Sequence, residues 1–79
     1  MEIGKLVKMA NQIALFFEAE PDVNVARQGV ANHIKRTWEP RMREALLQHI
    51  EEKGGEGLRP LVIEAFRHHK ELLRPRSRS

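Results

Sequence analysis

Apolar residues recur at alternating steps of three and four through Ile3, Leu6, Val7, Ala10, Ile13, Ala14 and Phe17, drawing one stripe down the face of a helix. Met9 and Phe16, one heptad apart, flank that stripe and widen its apolar arc to roughly half the circumference at about 100° per residue. Lys5, Lys8, Asn11, Gln12 and Glu18 form the polar side. Glu20-Pro21-Asp22 predicts the end of this helix, because the residue before a proline is pushed out of the α region. A second helix, capped by Asn24 or Asp22, places Val23, Ala26, Val30 and Ile34 on one face, is weakened slightly by Gly29, and stops near Thr37. Pro40 suits the first turn of a third helix that runs to about Lys53 and buries Met42, Ala45, Leu46 and Ile50. The glycines of Gly54-Gly55-Glu56-Gly57 each disfavour a helical interior by roughly 1 kcal/mol, so a turn belongs there. Pro60 then opens a fourth helix with the stripe Leu58, Leu61, Val62, Ala65, Phe66, Leu72 and Leu73.

No segment alternates with period two and no repeat appears. The expected fold is therefore all-α, a small bundle of about four short amphipathic helices, with residues 1–73 as a single helical domain. The Arg/Ser tail, residues 74–79, carries no apolar residue and reads as disordered. Short connections favour antiparallel neighbours, the third and fourth helices above all.

At 79 residues with no cysteine, the chain has neither a disulfide nor a Cys-based zinc site to supplement its core. Folding at this size buries only roughly 60% of the surface of the unfolded chain, and such a core rarely supplies more than about 3 to 5 kcal/mol. Oligomerisation or docking on a larger partner is the remaining source of stability. The net charge of +3 resides in Arg74, Arg76 and Arg78, since residues 1–73 hold eleven basic and eleven acidic side chains. The N-terminal segment lacks the pattern of a signal peptide, no apolar stretch is long enough to cross a bilayer, and a cytoplasmic location is the default.

Catalytic constellations are missing from the pattern. There is no tyrosine, both serines lie in the tail, and Thr37 is the sole hydroxyl in the helical part. His33, His49, His68 and His69 lack the spacing of a helical metal site; the adjacent pair points about 100° apart. The glycine group has no following Lys-Ser/Thr and no preceding strand, so it reads as a helix terminator rather than a phosphate cradle. What stands out is Trp38-Glu39-Pro40-Arg41-Met42-Arg43, where the single tryptophan meets a proline junction followed by two arginines. Tryptophan and arginine are enriched among interface anchors, and Trp38 equally suits a plug at the end of the bundle. Lys35, Arg36, Arg41 and Arg43 around Trp38 also permit a nucleic-acid reading, which Glu39 and Glu44 interrupt.

Three motifs in order resemble a known family: Met9-Ala10-Asn11-Gln12-Ile13 with Phe16-Phe17, then Trp38-Glu39-Pro40-Arg41-Met42-Arg43, then Gly54-Gly55-Glu56-Gly57-Leu58 with Pro60-Leu61-Val62. From about Ile3 to Phe66 the chain resembles the delta subunit of soluble, NAD-dependent, molybdenum-containing formate dehydrogenases. The resemblance implies a small non-catalytic subunit of a cytoplasmic complex that interconverts formate and carbon dioxide. It implies that the enzyme couples this to NAD, that a large subunit holds molybdenum as a bis-pterin-guanine-dinucleotide (bis-MGD) cofactor and iron–sulfur clusters, and that companion subunits carry FMN and further clusters. No cofactor is expected on this chain itself. The large subunit and its companions are the expected partners, with no nucleic acid and no membrane, and the role is assembly, cofactor loading or stabilisation.

The residues expected to contact the partner are Met9, Phe16, Trp38, Arg41 and Arg43. Two alternatives accompany this reading: a small helical nucleic-acid-binding domain that uses the third helix and the arginine tail, and a bundle that self-associates through the apolar arc of the first helix.

Overall fold

The computed structural model describes residues 2–75. Five helices follow one another: α1 (Ile3–Phe17), α2 (Val23–Thr37), α3 (Pro40–Lys53), α4 (Pro60–His68) and α5 (Lys70–Leu73), with no strand among the described residues. The protein is all-α, a small helical bundle. Most of the tail, residues 76–79, lies outside the described residues, so the expectation of disorder there meets no observation.

Local chemistry accounts for the boundaries. Asp22, rather than Asn24, caps α2: its carboxylate accepts from the amides of Asn24 at 2.9 Å and Val25 at 3.4 Å, satisfying donors that the first turn leaves unpaired. Pro40 fills the first turn of α3 and Pro60 that of α4, where a missing N–H costs nothing. Gly54 ends α3 at φ 71°, a left-handed conformation that a side chain would strain.

The core is assembled from Leu6, Ala10 and Ala14 of α1, Ala26, Val30, Ala31 and Ile34 of α2, Leu46, Leu47 and Ile50 of α3, and Leu61, Val62, Ala65 and Phe66 of α4, closed by Leu58 and Leu73. Phe66, Ile34, Leu46 and Leu73 are its largest fully enclosed side chains. Ile3 and Val23 belong to the sequence stripes yet stay exposed, because each opens its helix beyond the reach of the packed layer. Met42 and Ala45 are only half-buried, whereas Leu47 joins the core.

Two expectations are corrected. The segment from Pro60 to Leu73 is not one continuous helix: His69, at φ −122° and ψ 39°, breaks it. No proline or glycine marks the bend in sequence, and the bend lets α5 pack on α2 and enclose Leu73. Nor are α3 and α4 the neighbouring pair. The strongest pairing is α4 on α2, and α3 lies closest to α1, because the α3–α4 loop is fastened to the flank of α1.

That fastening is made by Asn11, which sequence periodicity assigns to the wet face. Its Nδ2 donates to the Gly57 carbonyl at 2.9 Å and its Oδ1 accepts from the Arg59 amide at 2.9 Å, so one side-chain amide satisfies a carbonyl and an N–H on either side of Leu58. Asn11→Ala removes both bonds together. It is expected to cost about 1 to 3 kcal/mol, at roughly 1 kcal/mol net per bond, read from the midpoint of urea denaturation.

Candidate functional site

α1 and α2 run antiparallel across a tight seam. Gly29 of α2 faces Phe17 of α1, and a Cβ built at Gly29 would stand 2.4 Å from Phe17 Cε1, so this side chain must be hydrogen for the ring to lie on the helix. Gly29, which looks like a small defect in sequence, is what brings the aromatic end of α1 onto α2.

Phe17 in turn meets Phe16 edge to face, with ring centroids 5.0 Å apart and planes at 90°. The arrangement leaves Phe16 76% exposed. An isolated exposed apolar residue is ordinary, but this one stands on the rim of an open groove of about 560 Å³. Met9, Ile13, Phe16 and Phe17 line it from α1, and His33 and Arg36 from α2. Leu15, Val23 and Val25, close to the α1–α2 connection, are exposed as well.

The five residues expected to meet a partner therefore separate. Met9 and Phe16 come together in this groove, and Arg41 is exposed at the start of α3. Trp38 and Arg43 do not lie at the surface, and the expectation that they are offered there is corrected. Trp38 is 5% exposed and part of the hydrophobic core, the bundle-end plug that its position also suggested. Arg43 is 6% exposed; its Nη1 donates to the Leu73 carbonyl at 3.3 Å, while its Nε is enclosed without a partner. The guanidinium thus satisfies a carbonyl at the C-terminus of α5 that the helix leaves unpaired. The stacking platform required by the nucleic-acid reading is the same buried Trp38.

A second cluster joins the first and third sequence motifs. Beside the Asn11 bonds, the Arg59 guanidinium grips the Glu18 carboxylate with both oxygens engaged, Nε to Oε2 at 2.6 Å and Nη2 to Oε1 at 3.0 Å. His49 Nε2 lies 2.8 Å from the Glu56 carbonyl and ties the same loop back to α3. Neither Glu18 nor Arg59 stands out by periodicity, since both sit on exposed faces 41 residues apart.

The hydrogen bond from Arg59 holds the Glu18 carboxyl below the usual glutamate range, against an opposing desolvation and with help from the arginine's charge. Arg59 lowers the proton affinity of Glu18 only in the folded state, so the pair's contribution is fully present above the ordinary glutamate pKa and is lost as pH falls through the lowered value. Acid titration followed by NMR is expected to show the Gly57–Arg59 amides shifting together with the Glu18 carboxyl, below the pH at which exposed glutamates protonate.

Thr37, the hydroxyl in the helical part, donates to the His33 carbonyl at 2.8 Å within its own helix. Among the described residues no three His, Asp or Glu side chains gather as metal ligands, and no helix is long and apolar enough to cross a membrane. What the geometry offers is an apolar groove with a cationic end, and a loop clamped to the helix that forms it.

Comparison with known families matches residues 5–66 to the NADH-dependent formate dehydrogenase delta subunit, FdsD. The chain belongs to this family. The matched span takes in the whole groove, both halves of the Asn11 and Glu18–Arg59 clamp, and α4 as far as Phe66. Leu73, which receives the Arg43 bond, lies beyond it. Comparison with curated proteins and with solved structures gives no match.

Proposed function

We propose that this FdsD chain is a non-catalytic accessory subunit of a cytoplasmic, NAD-dependent formate dehydrogenase, docking on the large molybdenum-bearing subunit. There it supports assembly, cofactor loading or stability of the complex. The observation that carries the reading is the family match over residues 5–66, and the exposed Phe16 beside an open apolar groove supplies the surface it needs. A small core that leaves a phenylalanine in water gains stability when a partner covers it, because anything that binds only the folded state stabilises it.

The redox chemistry is assigned to other chains. Iron–sulfur clusters are held by cysteine thiolates, and this chain has no cysteine, which supports placing them on other subunits. FMN and NAD are likewise placed on companion subunits.

Of the residues proposed to contact the partner, Met9, Phe16 and Arg41 are positioned to do so directly, while Trp38 and Arg43 support the surface from within. Purification of a tagged copy from its native host tests the reading. Formate dehydrogenase subunits are expected to co-elute in fixed proportion with molybdenum in the eluate, and their absence would overturn it. Deleting the gene separates the roles: a fall in molybdenum per large subunit indicates cofactor loading, whereas a fall in assembled complex at constant molybdenum indicates bracing.

A further inference from the structure

The groove has more definition than an exposed apolar patch. On α1, Met9, Ile13 and Phe16 follow at steps of four and three, and on α2, His33 and Arg36 stand three apart. The α1 row is one heptad long, about 10 Å at 1.5 Å per residue. The two rows face a common trough with the shape of a three-helix seam that lacks its third member. Ridges spaced at three and four accept the ridges of another helix. An extended strand would bring unpaired backbone donors and acceptors against an apolar floor, with no sheet edge here to receive them.

Charge gives the trough a direction. Phe16 and Phe17 mark the end near the α1–α2 connection, and Arg36, in the last turn of α2, marks the other. No carboxylate lines the groove, and among the described residues none pairs with Arg36. We propose that the groove seats an amphipathic helix of the large subunit, with apolar anchors against Phe16 and Phe17 and a carboxylate, one to two turns away, on Arg36. This inference rests on the docking reading above and specifies the element that docks.

A second copy of the chain fits less well. The acidic face of α3, with Glu44, Glu51 and Glu52, offers the groove of a second copy no exposed apolar anchor, because Leu47 is buried. The groove thus matches a helix that is apolar and acidic at once.

The chain has no cysteine, so Gln12→Cys, on the groove lining, can carry a benzophenone photo-crosslinker as its single thiol adduct. Irradiation with the purified large subunit, followed by peptide mass spectrometry, is expected to place adducts in a segment whose apolar residues recur at three and four and which bears Asp or Glu. Adducts in a strand, in a segment without acid, or on a second copy would overturn the proposal. In parallel, Phe16→Ser and Arg36→Glu are each expected to weaken capture of the large subunit at least tenfold with the melting temperature unchanged, while Lys53→Glu on the far end of α3 changes it less than twofold. Variants that bind as the wild type does would remove this inference and leave the docking reading standing. Failure of the wild-type chain to bind the large subunit would overturn both.

Discussion

Trp38→Ala is expected to abolish the cooperative thermal transition of the isolated chain and to reduce its far-UV helical signal at 25 °C. The side chain is 5% exposed and closes the core between α2 and α3. Truncating a buried tryptophan costs about 3 to 5 kcal/mol, comparable with the whole stability of a single core this small. Any accompanying loss of partner capture would then follow from unfolding. The comparison with Phe16→Ser decides this: the exposed ring can be removed with the melting curve intact, so loss of binding there reports contact, and loss of binding at Trp38 reports the fold. A Trp38→Ala chain that melted normally would show that the bundle end packs without its plug.

Arg43 gives the second large effect, and the choice of replacement determines its size. Arg43→Ala removes the donor to the Leu73 carbonyl and leaves a space beneath α5, with an expected loss of about 2 to 4 kcal/mol from the unpaired acceptor and the cavity together. Arg43→Met keeps the volume of the stem and removes an Nε that is enclosed without a partner. Arg43→Met leaves the same Leu73 carbonyl unpaired but opens no comparable cavity, so its expected loss is smaller than that of Arg43→Ala by about 1 to 2 kcal/mol. Urea denaturation of the two variants side by side provides the check. Equal losses would mean that the bond to the Leu73 carbonyl, and not the filling of the space, carries the contribution.

The two arginines of the Trp38–Arg43 motif thus have different fates that no linear reading separates. Arg41 and Arg43 stand two residues apart, about 200° around the helix, and the side on which each falls depends on where α3 rests. In the folded chain Arg43 turns inward to the end of α5, and Arg41 faces water. Asn11 and Glu18 were legible only as polar positions, since their partners, Gly57 and Arg59, approach from 41 to 48 residues away. The family resemblance carried more of the site than periodicity did: two of its three motifs turn out to be the two sides of one clamp, and the same helix that bears Asn11 bears the groove.

Helix positions, their starts at Asp22, Pro40 and Pro60, the glycine stop at Gly54 and the membership of most core stripes follow from the order of residues alone. Each depends on interactions within a few positions of chain, such as a capping carboxylate, a missing amide or a repeat near 3.6. Which helices pair, the bend at His69, the burial of Trp38 and Arg43, and the exposure of Phe16 beside Arg36 were decided only in three dimensions. These are settled by competition among several apolar faces for one another, and an apolar arc broader than its neighbours can cover does not announce which of its residues will be left in water.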